Sequence, residues 1–111
     1  MKEIDWSSLS FGYMKTDYNV RCWYRDGAWG EIEVSSEETL NIHIAATCLH
    51  YGQEAFEGLK AYRCPDGKVR VFRMDENAAR LQSTCRGIMM PELPTELFEE
   101  MVAKVVKLNE A

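Results

Sequence analysis

Two turn signals, followed by a change of period, constrain this chain more than any other feature. Tyr18 to Tyr24 reads YNVRCWY, alternating side-chain character, and runs directly into Arg25-Asp26-Gly27. An Asp-Gly pair between alternating segments is the strongest short-range hairpin signal, because both residues tolerate the positive φ of a tight turn. Trp29 to Val34 is the return strand. Phe56 to Arg63 alternates likewise, meets Cys64-Pro65-Asp66-Gly67, and returns as Lys68 to Arg73. Between the hairpins Leu40, Ile42 and Ile44 alternate, which predicts one more short strand.

After Arg73 the apolar spacing lengthens to that of a helix. Asp75 is placed to cap a helix running through Arg86, with Ala78, Leu81 and Cys85 on its inner face. Pro91 and Pro94 interrupt, and Thr95 is the expected N-cap of a second helix. Its apolar stripe is Leu97, Phe98, Met101, Val102, Val105 and Val106, with Glu100 and Lys104 as an i,i+4 pair outside. Strands first and helices after predict an α+β fold. The expected form is a two-layer sandwich, a mostly antiparallel sheet built from hairpins with two helices on one face. A length of 111 residues allows one such domain and not two.

Charge and composition exclude several function classes. A formal net charge of −5, with the basic residues scattered among acids, argues against a nucleic-acid partner. MKEIDWSSLS holds no apolar run of signal-peptide length and no segment approaches a membrane span, so no membrane partner and a cytoplasmic location are expected. Cys22, Cys48, Cys64 and Cys85 form no close pair, which argues against a metal site and for free thiols. His43 and His50 lack ligand-type partners at useful spacing and read as hydrogen-bonded structural residues. Trp6, Trp23 and Trp29 are expected to pack on sheet faces or at an interface.

The stretch HYGQEAFEGLKAY, His50 to Tyr62, is the most unusual. In a strand Phe56, Gly58, Lys60 and Tyr62 share one face, with Glu57, Leu59, Ala61 and Arg63 on the other. An aromatic, a missing side chain and a cation in a row suit a surface that holds a ligand. They suit still more commonly a solvated face with a bulge at Gly58. Glu57, pointing the opposite way, suits a buried hydrogen bond better than acid–base work. Arg80 lies off the helix's core stripe beside Asn77 and Thr84, where it suits phosphate binding or simple solvation. The residues alone leave both pairs of readings open.

HYGQEAFEGLKAY, GKVRVFR and DENAARLQSTCRGIMMP together resemble the N-terminal domain of branched-chain amino acid aminotransferases, pyridoxal-5'-phosphate enzymes of fold type IV. FGYMKTDYNV and EEMVAKVVKLNEA extend the similarity to essentially the whole chain. The resemblance implies that Arg80 grips the cofactor phosphate. It makes Phe56 and Phe11 walls of the pocket for the branched side chain, Tyr51 a residue reaching into the neighbouring subunit, and Gly58 the gap beside the substrate carboxylate. Lys60 falls where relatives carry a cation that organises the carboxylate-binding surface. Met74 stands where relatives commonly have proline.

The full enzyme so implied is a homodimer that exchanges amino groups between leucine, isoleucine or valine and 2-oxoglutarate. The lysine that holds the cofactor as a Schiff base, and the acid that meets the pyridine nitrogen, lie in the family's second domain. Residues 1–111 therefore read as the small domain alone, with no catalytic residue of its own, inactive and without bound cofactor. A D-amino acid aminotransferase or aminodeoxychorismate lyase of the same fold is the nearest alternative. A stand-alone α+β interaction domain is the other.

Overall fold

In the computed structural model, which describes residues 14–110, the first hairpin forms as its turn demands. Asp26 and Gly27 take φ of 53° and 80°, as a two-residue type I′ connection requires. They join β1 (Asn19–Arg25) to an antiparallel β2 (Ala28–Ser35). The register shifts between Cys22 and Tyr24, opposite Gly30 and Glu31. Aromatic side chains knit the hairpin: Tyr24 and Trp29 meet edge to face at 5.1 Å, and the Arg25 guanidinium lies 4.8 Å from the Trp23 ring. The Trp29 indole N–H donates to the Glu92 carbonyl at 3.1 Å, tying the hairpin to the loop between the long helices.

The second hairpin is shorter than its alternation predicts. Only β3 (Ala61–Arg63) and β4 (Val69–Val71) pair, three residues each, so Phe56 to Lys60 lie outside any strand. The two hairpins remain separate two-stranded sheets. Leu40 to Ile44 form no strand either: no neighbouring chain offers a ladder, and Leu40 and Ile44 are exposed. A single-turn helix that the sequence pattern did not announce, α1 (Thr47–His50), follows instead.

Both long helices appear where the period changes, but neither is capped as expected. α2 (Met74–Gly87) begins after Arg73, whose left-handed backbone (φ 49°, ψ 49°) breaks the strand. Asp75 therefore sits inside the first turn with Glu76, where its charge meets the positive end of the helix rather than capping it. α3 (Thr95–Asn109) takes Pro94 as its N-cap, the Pro94 carbonyl accepting from Phe98 N–H at 2.9 Å. Thr95 is thus the first helical residue, and its hydroxyl accepts from the Gln82 amide at 3.1 Å.

α3 packs on α2 and on β1. Asn109 fastens its end by exchanging two 3.0 Å hydrogen bonds with the Tyr18 backbone. Ala78, Cys85 and Phe98 are buried, while Leu81 and the rest of the α3 stripe are half-buried. Glu100 and Lys104 are exposed and make no ion pair among the described residues. The arrangement is α+β, as expected, around a thin core. The radius of gyration is 15.4 Å, against roughly 13 Å for a compact domain of about 100 residues. Large apolar side chains such as Phe56, Phe72 and Met89 accordingly stand more than 80% exposed (88%, 82% and 89%).

Candidate functional site

From Gln53 to Tyr62 the chain keeps its two-residue period, and before Ala61 it does so without a partner strand. Gln53, Ala55, Glu57, Leu59 and Ala61 are half-buried, and Glu54, Phe56, Gly58, Lys60 and Tyr62 are exposed. The face division expected from the sequence therefore holds, although the ladder does not. Phe56, Gly58, Lys60 and Tyr62 make one outward row, and Lys60 has no ion-pair partner among the described residues. Tyr51, at the end of α1, is 83% exposed and precedes Gly52, whose φ of 65° turns the chain into this segment. Phe11 lies outside the described residues.

Gly58 needs neither a left-handed backbone nor empty space within the fold. Among the described residues a Cβ there would meet only the Phe56 ring at 3.5 Å, an ordinary contact. The fold itself therefore tolerates alanine, and any need for glycine comes from something that approaches from outside.

The inward row carries the buried hydrogen bond expected of Glu57. Glu57, its side chain only 6% exposed, faces α2. Arg80 grips it side-on, Nε–H donating to Oε2 at 2.8 Å and Nη2–H to Oε1. Asn77 Nδ2–H donates to Glu57 Oε1 at 2.8 Å and to the Gly58 carbonyl at 3.1 Å. The Arg80 hydrogen bonds hold the Glu57 carboxyl below its ordinary value; burial opposes this and Asn77 reinforces it. The same pairing raises Arg80. Asn77 and Arg80, three apart on α2, share a helix face, which is the one sequence signal that could have linked Asn77 to this site.

Arg80 thus stands on the opposite side of the segment from Phe56, Gly58 and Lys60. It opens instead into a shallow groove of about 510 Å³ lined by Phe72, Arg73, Glu76 and Asn77. Arg73 is itself paired with Glu76 at 2.8 Å. The groove holds an exposed aromatic and two guanidinium groups but, among the described residues, no lysine. A larger groove, about 760 Å³, runs past Lys15, Tyr18 and Glu38. It is crossed by a Lys15–Glu38 ion pair and contains none of the residues singled out above, so size does not select the site.

The histidines are hydrogen-bonded to the backbone of Ile44 and Ala45. His43 Nδ1 accepts from Ala45 N–H at 3.0 Å, and His50 Nε2 bonds the Ile44 carbonyl. The four cysteines are free, and among the described residues no His/Cys/Asp/Glu group could hold a metal ion. No described helix is long and apolar enough to cross a membrane.

No protein-family model matches the chain. Curated proteins match it almost end to end. The branched-chain-amino-acid aminotransferase of Haemophilus influenzae is 49% identical over 110 residues, 99% of this chain and 32% of that protein. The Helicobacter pylori protein of the same name is 44% identical over 110 residues, again 99% of this chain and 32% of that protein. The branched-chain-amino-acid transaminase 1 of Bacillus subtilis is 41% identical over 106 residues, 95% of this chain and 30% of its own length. The chain belongs to the branched-chain-amino-acid aminotransferase family. It spans about a third of the length of these curated relatives.

Proposed function

We propose that residues 1–111 form the N-terminal small domain of a pyridoxal-phosphate-dependent, fold type IV branched-chain aminotransferase. The whole enzyme moves the amino group of leucine, isoleucine or valine to 2-oxoglutarate and works as a cytoplasmic homodimer. The match to curated aminotransferases over nearly the whole chain carries this reading. The division of the site into two faces supports it.

Arg80 would hold the cofactor phosphate. Nη1 and the second Nη2 hydrogen have no partner among the described residues, and Arg80 lines a groove shared with the exposed Phe72, which suits a flat aromatic group. When bound, pyridoxal phosphate supplies an electron-withdrawing ring that stabilises negative charge at the substrate α-carbon. On the outward face Phe56 would wall the branched side chain, and Gly58 would admit the carboxylate. Lys60 would supply positive charge there, and Tyr51 would reach across the dimer. The lysine that attaches the cofactor covalently is assigned to the enzyme's second domain, as the family resemblance implies. Purified 1–111 should show no transaminase turnover, and turnover would overturn that assignment.

Gly58→Ala provides the sharpest test, because the fold accommodates a methyl group there. In the full-length protein the melting temperature should hold while KM for leucine rises. An unchanged KM would remove the substrate carboxylate from Gly58.

A further inference from the structure

A guanidinium has five N–H donors in a flat fork. Here Glu57 takes Nε–H and one Nη2–H, which leaves Nη1 and the second Nη2 hydrogen without a partner among the described residues, on a side chain that lines the groove. An arginine on a helix surface ordinarily samples many rotamers, and its side chain is 67% exposed here. Glu57 is the opposite: it is almost wholly covered and fixed by Asn77, which is itself anchored to the Gly58 carbonyl. Immobility therefore passes from the Gly58 backbone through Asn77 and Glu57 to one edge of Arg80.

We infer that Glu57 is a positioning residue for an anionic phosphate group. It pins the Arg80 guanidinium side-on, so that the opposite edge is presented ready for two-point recognition. This rests on the reading of Arg80 as the phosphate ligand. A carboxylate close to a phosphate also repels it, so the net effect decides whether Glu57 positions the arginine or competes for it. Positioning predominates because the two anions use different edges of the fork. An oriented guanidinium then binds phosphate without first losing rotamer freedom.

The test measures dissociation constants of the full-length protein for pyridoxal 5'-phosphate and for pyridoxal, which lacks the phosphate, by absorbance titration. The parent should prefer the phosphorylated probe, and Arg80→Ala should lose most of that preference. Glu57→Ala should reduce the preference by about tenfold, the scale seen when outer partners of ion ligands are removed. The Arg80→Ala/Glu57→Ala double variant should be no worse than Arg80→Ala alone. Equal weakening of both probes by Glu57→Ala would reduce Glu57 to a structural residue. A stronger phosphate preference would make it a competitor. Either result overturns the inference while leaving Arg80 as the ligand. If Arg80→Ala keeps the parent's preference, the phosphate reading falls and the inference with it. Should Glu57→Ala fail to fold, Glu57→Gln keeps the volume but not the charged two-point grip. It should then show the same selective loss, smaller in size.

Discussion

The first hairpin and the segment from Gln53 to Tyr62 carry the same two-residue alternation and are held in place by different forces. β1 and β2 satisfy each other's backbone through a ladder, and α3 packs on β1. The second segment has no ladder before β3, and side chains from α2 hold it instead. Its inward row is fixed by a carboxylate network, and its outward row is left bare. Alternation specifies which residues share a face, but only a partner strand turns it into sheet. A segment anchored on one face by polar side chains can keep the other face free for a ligand.

Deleting Phe98, the largest buried side chain among the described residues, should have the largest effect. Phe98→Ala should cost about 3 kcal/mol of stability, because the aromatic is buried where α3 meets the rest of the fold. Urea unfolding measures it, and a loss below about 1 kcal/mol would show that α3 does not anchor the body.

Asn77→Ala comes next and separates the two regions. It removes hydrogen bonds to Glu57 and to the Gly58 carbonyl, and should loosen residues 56–60 by about 1 kcal/mol. Amide exchange should quicken there and remain unchanged in β1 and β2. Equal quickening in both regions would erase the distinction.

The smallest effect is one of pH. Glu57 is held below its ordinary value in the folded protein, so its contribution is fully present above the ordinary glutamate value. It is lost as pH falls below 4.5 through the lower folded value. Glu57→Gln should lower stability by a constant amount near neutrality, where the contribution is full, and flatten the profile in that acid window. A profile that keeps its parent slope below pH 4.5 would show that Glu57 is not differentially protonated on folding.

Much of the fold was legible because it depends on local rules. Asp26-Gly27 fixed a turn through backbone φ, and the apolar spacing of Leu97 to Val106 marked a helix regardless of what covers it. The caps were less legible. Asp75 and Thr95 are good cap residues by type, yet Arg73 and Pro94 hold those positions because the preceding chain enters at their backbone angles. Leu40 to Ile44 alternates as a strand would and has nothing to pair with. At the site, the opposite facing of Glu57 and Phe56 was readable from period alone, as was Arg80's place off the core stripe.

Sequence by itself determined the family, the α+β order of elements, the type I′ turn and the two faces around Gly58. These follow from φ preferences, side-chain period and residue identity, which act over a few positions. The tertiary structure alone decided that Arg80 meets Glu57 across 23 intervening steps of chain, with Asn77 locking the pair. It also decided that Phe56 to Lys60 stays unpaired. Partners so far apart in sequence are chosen by packing α2 against that segment, and no local preference encodes that choice.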